Sequence, residues 1–213
     1  LNGRITTSEL SDLQLQLQVL EQPERQLTLT GAAAWTPELE ATADLRMQQF
    51  PWQWLYPQSL GDLEIQQLAL QAQLRGETFS SDLQASLSGV GEHTAELSLS
   101  LAGTPEQITV APLQLVTDSG SLRGHAQIGL LDEVSWNAEL LLEGLNPQLF
   151  VSQLPGSLSG PVNSLGAIRA GELELSAGWD ISGTLRSQPL KLSGALASAN
   201  SQWQVNDLQV QQG

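Results

Sequence analysis

Cysteine is absent from the 213 residues, and aromatic residues make up only 5% of them. The lack of cysteine is compatible with an oxidising compartment, but it does not identify the compartment of this protein. A globular enzyme of this size usually has more aromatic mass at its centre. No stretch approaches the roughly 18 consecutive apolar residues of a membrane-spanning helix. The low aromatic content argues against a compact enzyme with an aromatic core.

Basic residues are also scarce, with 8 Lys and Arg against 23 Asp and Glu and a net charge of −15. Binding to nucleic acid or to an anionic membrane surface needs clustered positive charge. We therefore expect neither as a partner. The excess of negative charge helps to keep a sheet-rich protein soluble.

Apolar and polar residues alternate along most of the chain. Val134, Trp136, Ala138, Leu140 and Leu142 are apolar, and all residues between them except Leu141 are polar. This period of two is typical of a strand with one apolar face, whereas an amphipathic helix needs apolar residues at i, i+3, i+4 and i+7. The pattern predicts an all-β chain with on the order of fifteen strands, many of about seven residues.

One arrangement occurs twice, which predicts repeated modules. The alternating stretch from 39 to 47 leads into the aromatic segment Phe50 to Pro57, and the stretch from 134 to 142 leads into Asn146-Pro147 and a short segment to Leu154. We predict short helical or turn segments near 51–56 and 147–154, the first packed against the sheet edge. The modules span about 1–60 and 61–160, with a third, partial module at 161–213. Both ends resemble the middle of strand pairs, so we expect a single fragment of a longer repetitive protein.

Residues with catalytic or metal-binding chemistry show no productive spacing. His93 and His125 are expected in a turn and at a strand start, and Gly156-Ser157-Leu158-Ser159-Gly160 is interpreted as a turn rather than a serine nucleophile motif. Acidic residues such as Glu139 alternate with apolar ones and so belong to the polar face. From the sequence we expect a protein that is not an enzyme and that has neither a metal site nor a cofactor.

Several segments resemble the AsmA-like superfamily, above all its TamB family. They are Trp136-x-Ala138-x-Leu140-x-Leu142, Leu145-Asn146-Pro147, Leu154 to Gly160, Ser182 to Leu185, Pro189 to Gly194 and Trp203-x-Val205-x-Asp207-Leu208. The resemblance implies a central or C-terminal fragment of a periplasmic protein of Gram-negative bacteria, anchored in the inner membrane by an N-terminal helix that this fragment lacks. It also implies an elongated, curved, antiparallel sheet, the β-taco, with an apolar concave groove. An outer-membrane barrel of the TamA type is the implied partner, through another part of the full-length protein.

Alternation shows that one face is apolar but not what covers that face. A second sheet would cover it in a sandwich, lipid in a membrane barrel, and the opposite wall in the U-shaped sheet that the resemblance implies. Short strands and few aromatics argue against the membrane barrel. The candidate groove-lining residues are Leu97, Leu99, Leu101, Leu113, Leu115, Ile128, Trp136, Ala138, Leu140, Leu142, Leu173, Leu175, Trp203 and Val205.

Three functions fit this pattern. The first is a lipid conduit, in which the groove carries phospholipid acyl chains between the inner and outer membranes. The alternative is an assembly scaffold or chaperone for outer-membrane β-barrel proteins and autotransporters, working with a TamA-type partner, because open sheet edges can accept a guest strand. The third is a purely structural repeat such as an adhesin stalk, whose apolar face would be completely buried.

Overall fold

The computed structural model describes residues 1–51, 64–90, 93–131, 133–149, 153–169, 171–199 and 202–212. These residues form fourteen β-strands and one short 3-10 helix, Pro147–Leu149. The chain divides into two compact units, Leu1–Thr104 and Pro105–Gly213, called unit 1 and unit 2 below. No helix in the described ranges is long and apolar enough to cross a membrane.

Unit 1 is an antiparallel sheet in which each strand pairs with its neighbours in sequence. Its strands are β1 (Asn2–Ile5), β2 (Glu9–Val19), β3 (Gln22–Ala34), β4 (Glu40–Gln48), β5 (Glu64–Arg75), β6 (Thr78–Val90) and β7 (His93–Gly103).

Unit 2 has the same meandering, antiparallel order. Its strands are β8 (Gln107–Thr117), β9 (Gly120–Gly129), β10 (Val134–Leu145), β11 (Gly156–Arg169), β12 (Glu172–Leu185), β13 (Gln188–Ala199) and β14 (Gln202–Gln212). Buried Asn146 shapes the connection from β10 to β11, because its Oδ1 accepts hydrogen bonds from the backbone N–H of Gln148 (3.1 Å) and Gly156 (3.0 Å).

The prediction of an all-β antiparallel fold is confirmed, and the 3-10 helix lies within the predicted segment 147–154. Phe50 is 3% exposed and packs with Leu27 and Met47, while Pro51 has no regular structure. The rest of the aromatic segment, including Trp52 to Tyr56, lies outside the described residues. The three-module division stays a prediction.

The predicted strand length and one predicted turn are wrong. Apart from β1, the strands have 9 to 14 residues, so an 11-residue strand is about 37 Å long. Gly156 to Gly160 is not a turn but the beginning of β11. Gly160 has φ +141°, and a Cβ there would overlap the carbonyl of Asp180 on β12, so its glycine permits close approach of the backbones rather than a chain reversal. The predicted positions of both histidines are also wrong. His93 is the first residue of β7 rather than part of a turn, and His125 lies in the middle of β9, not at its start.

Neither unit contains a conventional closed core. Among the described residues only six hydrophobic side chains are buried, and none of the large ones is fully enclosed. The chain exposes 13550 Å² of surface. Two separate compact domains, each with half the mass of this chain, would together expose only about 11,600 Å². Much apolar surface of the two sheets is therefore left uncovered by the residues that the structure describes.

Candidate functional site

The two faces of each sheet differ sharply in chemistry. In β2, Leu13, Leu15 and Leu17 are half-buried on one face, while the glutamines between them are exposed on the other. Successive side chains of a strand point to opposite faces. We call the leucine-bearing side of each unit its apolar face and the opposite side its polar face.

The strand register of unit 1 aligns apolar residues into continuous rows across the strands. Leu15, Leu29, Leu45, Leu70, Leu83 and Leu99 pair in succession from β2 to β7. Parallel rows are Leu17–Leu27–Met47–Leu68–Ala85–Leu97 and Leu13–Gly31–Ala43–Ala72–Ser81–Leu101. No position of these rows carries a charge.

Unit 2 repeats the arrangement with its own rows. They are Leu113–Gly124–Leu140–Val162–Trp179–Gly194, Val110–Ala126–Ala138–Ser164–Ala177–Leu196–Val205, Ile108–Ile128–Trp136–Gly166–Leu175–Ser198–Trp203 and Leu115–Leu122–Leu142–Gly160. These positions are also free of charged residues, so a ligand crossing the strands would meet only apolar or small side chains.

The structure brings the candidate residues onto these faces. Leu97, Leu99 and Leu101 end the three rows of unit 1. All the candidates beyond residue 105 lie in the rows of unit 2 except Leu173, which pairs with Ile168 beside them. Whether these residues line a groove stays a prediction. The sequence analysis missed the earlier members of the unit 1 rows, such as Leu29 and Leu70, although the same alternation marks them.

Each apolar face has a row of small side chains bordered by bulkier ones. In unit 1 this row contains Gly31, Ala43, Ala72 and Ser81, and its neighbour is the six-leucine row. In unit 2 it contains Ala126, Ala138, Ser164 and Ala177, with Leu140 and Trp179 on one side and Trp136 and Leu175 on the other. The apolar surface is therefore lower along these two lines.

Two tryptophans in unit 2 lie against glycines of the next strand. The indole of Trp136 covers Gly166, and its Nε1–H donates a hydrogen bond to Ser164 Oγ at 3.0 Å. Trp179 packs on Gly194, and its buried Nε1 has no partner among the described residues. Glycine permits this packing because any Cβ would occupy the space of the ring.

The polar faces carry ion pairs and hydrogen bonds, both within strands and between them. In unit 1, Asp44 accepts hydrogen bonds from Arg46 Nε (2.9 Å) and Gln71 Nε2 (3.1 Å), which lower the pKa of its carboxyl. In unit 2, hydrogen bonds from Arg123 and then Ser121 lower the pKa of the Glu143 carboxyl. These groups are exposed to solvent, so they add little stability but keep this side of the sheet wet.

Shallow hollows occur on the polar faces. One, of about 420 Å³, is lined by polar side chains including Gln26, Arg46, Gln84 and Glu96. Another, of about 390 Å³, contains His125 and Glu139, whose nearest nitrogen and oxygen are 3.8 Å apart. The described residues contain no group of three or more potential metal ligands. The first hollow suits water better than an acyl chain, whereas Leu141 and Pro161 also line the second.

Strand β14 leaves its apolar residues more exposed than the interior strands do. Trp203, Val205, Leu208 and Val210 are 54–59% exposed, whereas Leu192 and Leu196 on the adjoining β13 are half-buried. The difference arises because β13 has a paired neighbour on both sides and the described part of β14 pairs only with β13.

No solved structure matches this chain. The family model described as "TamB, N-terminal domain" matches residues 4–213, which include the apolar rows of both units. This description does not support the central or C-terminal position that we expected. The TamB family is not known as a family of enzymes, and its members are proteins of the cell envelope. Because the match extends over nearly the whole chain, the chain belongs to the TamB family.

Proposed function

We propose that this chain is part of a periplasmic bridge that carries phospholipid acyl chains between the inner and outer membranes. The main support is the set of uncharged apolar rows, which cross six consecutive strands in unit 1 and between four and seven in unit 2. Full-length protein would be anchored in the inner membrane by an N-terminal helix and would meet a TamA-like barrel through another part. No catalytic group is needed for this function.

The energetics favour occupation of the apolar face by an acyl chain. Each CH₂ removed from water contributes roughly 0.8 kcal/mol. Neighbouring strands lie about 4.8 Å apart, so a chain lying across the strands meets a similar side chain at every step. The free energy then changes little as the chain advances, and movement along the row is not opposed by a deep binding site.

The rows also define a direction of movement. They run perpendicular to the strands, from β2 to β7 in unit 1 and across β8 to β14 in unit 2. Six strands extend about 24 Å in this direction. An acyl chain would therefore lie across the strands, along the low row of small residues, with leucines on its flank.

Site-specific photocrosslinking in the full-length protein tests this proposal. A photoreactive residue at Leu99 or Leu140 should form adducts with phospholipid, because both side chains lie on apolar faces. Matched controls are Ser98 and Asn137, which lie on the polar faces of the same strands. Absence of adducts at Leu99 and Leu140, or equal yields at the controls, would rule out the conduit.

A role as an assembly scaffold is the second candidate, because the edge strand of an antiparallel sheet can pair with a guest strand. If β14 is an edge strand in the full-length protein, a guest strand of an outer-membrane barrel could pair with it and cover Trp203 and Val205. Photoreactive residues at Val205 and, as a control on the other face, Gln204 separate the two ideas. A guest that adds to the strand edge should react from both positions, because its backbone lies beside both, whereas lipid should react only from Val205.

A further inference from the structure

The two tryptophan–glycine pairs of unit 2 affect how much space an acyl chain would have along its apolar face. Trp136 sits directly opposite Gly166 in the register, and Ser164, which holds its ring N–H, belongs to the adjacent row of small residues. The indole is therefore laid down against β11, with its ring nitrogen beside the low row. Two separate features, a missing Cβ and a hydroxyl acceptor, keep the ring in this position.

We propose that Gly166 and Ser164 are positioning residues that hold the Trp136 indole flat and so keep the low row of unit 2 open to an acyl chain. Gly194 acts in the same way, more weakly, on Trp179. This inference rests on the proposed lipid conduit and deepens it, because it identifies which residues determine the free cross-section of the path.

The geometry predicts what a single methyl group would do. A Cβ at residue 166 would lie 2.6 Å from Cη2 and 2.7 Å from Cε2 of Trp136, and closer still to Cζ2. Atoms at these separations overlap, so the ring must tilt away from β11 and lose its bond to Ser164. At residue 194 a Cβ would lie 3.1 Å from Cζ2 of Trp179, which a small shift of the ring relieves. The effect of alanine should therefore be large at 166 and smaller at 194.

Unit 2 supplies a matched control. Gly178 lies on the polar face of β12, where an added Cβ would be 2.7 Å from Oδ1 of Asn163, an exposed side chain that can rotate away. Gly178→Ala makes the same chemical change in the same sheet. Although Trp179 follows it in sequence, the new methyl group lies on the face opposite the two tryptophan rings. It reports the general effect of replacing a strand glycine by alanine.

The test uses the full-length protein with a photoreactive residue at Leu140 and native membranes as the lipid source. Gly166→Ala should lose most of the phospholipid adduct, Gly194→Ala a smaller part, and Gly178→Ala none. Trp136→Leu added to Gly166→Ala should restore the adduct, because the shorter side chain no longer meets the new methyl group. Damage to the fold alone would not be repaired by removing a tryptophan, so this double variant separates obstruction from unfolding.

The possible results distinguish a failure of the positioning role from a failure of the conduit. An unchanged adduct in Gly166→Ala, or a loss that Trp136→Leu does not restore, overturns the positioning role while leaving the conduit intact. If the unsubstituted protein forms no lipid adduct at Leu140, the conduit fails, and the positioning role fails with it.

Discussion

The substitution Leu140→Arg tests whether the apolar face of unit 2 is open to its surroundings. Leu140 is half-buried in the row that includes Gly124 and Val162. Its Cδ2 occupies the space that a side chain at Gly124 would need. Arginine at this position places a guanidinium on the path of the acyl chain. Asn137→Arg introduces the same side chain on the exposed polar face of the same strand, and it is the matched control.

The expected cost depends on what covers Leu140. Complete burial of a leucine contributes about 1.5–3 kcal/mol, so a half-buried one loses about 1 kcal/mol. On an open face the arginine stem can lie along the neighbouring rows while its guanidinium reaches water. In a closed core the charge would be buried without a partner, at about 3–5 kcal/mol. Asn137→Arg should change stability by no more than about 0.5 kcal/mol.

Thermal melts of the chain and an envelope-integrity complementation assay of the full-length protein give the two readouts. We expect Leu140→Arg to melt only a few degrees lower and yet to fail in complementation, while Asn137→Arg passes both. A Leu140→Arg chain that does not fold would refute the open face and favour a closed, structural repeat. A folded and fully active variant would refute passage of lipid at this position.

Three further predictions follow from the described contacts. Asn146→Ala should destabilise unit 2 by about 1–2 kcal/mol in urea unfolding, because it leaves two backbone donors without their acceptor; an unchanged midpoint would show that water replaces the side chain. Met47→Ala, in the buried cluster with Leu27 and Phe50, should cost about 2–3 kcal/mol, clearly more than Leu99→Ala on the half-buried row, and equal costs would contradict the difference in burial. The pKa of Glu143 lies below its ordinary value of 4.5, so its stabilising contribution is present above that pH and disappears as the pH falls through the lowered pKa. The melting temperature should therefore depend less on acidity in Glu143→Gln, and identical pH profiles would refute the contribution of the Arg123 pair.

Alternation predicts the face of a residue well but says little about its neighbours. The period of two at Val134 to Leu142 correctly indicates a strand, β10, with its apolar side chains on one face. The rows depend on register, which the connecting turns and the patterns of both paired strands set together and which a single strand's pattern does not contain. Thus Leu140 could be assigned to the apolar face, but its packing with Gly124 and Val162 could not be foreseen.

The structural role of glycine is what the sequence pattern predicts least well. In Gly156 to Gly160 the glycines looked like turn residues, since glycine and serine commonly end strands. Their role depends on the contact between β11 and β12. The carbonyl of Asp180 on β12 lies too close to Gly160 for a side chain there, and the carbonyl of Ser157 on β11 lies too close to Gly183 of β12. The same is true of Gly166, which is explained only by a tryptophan 30 residues earlier in the chain. A local pattern cannot distinguish a glycine that turns the chain from one that leaves room for a partner.

The meandering order of the strands has a kinetic consequence. Within each unit, every described strand pairs only with the strands next to it in sequence. Pairing each new strand then requires closing only a short loop for most connections, and the entropy lost in closing such loops is small. Folding can advance one hairpin at a time from the first strands to emerge, without waiting for the distant end of the chain. A polypeptide exported as an extended thread would acquire its structure progressively, and under tension it would come apart strand by strand from an edge.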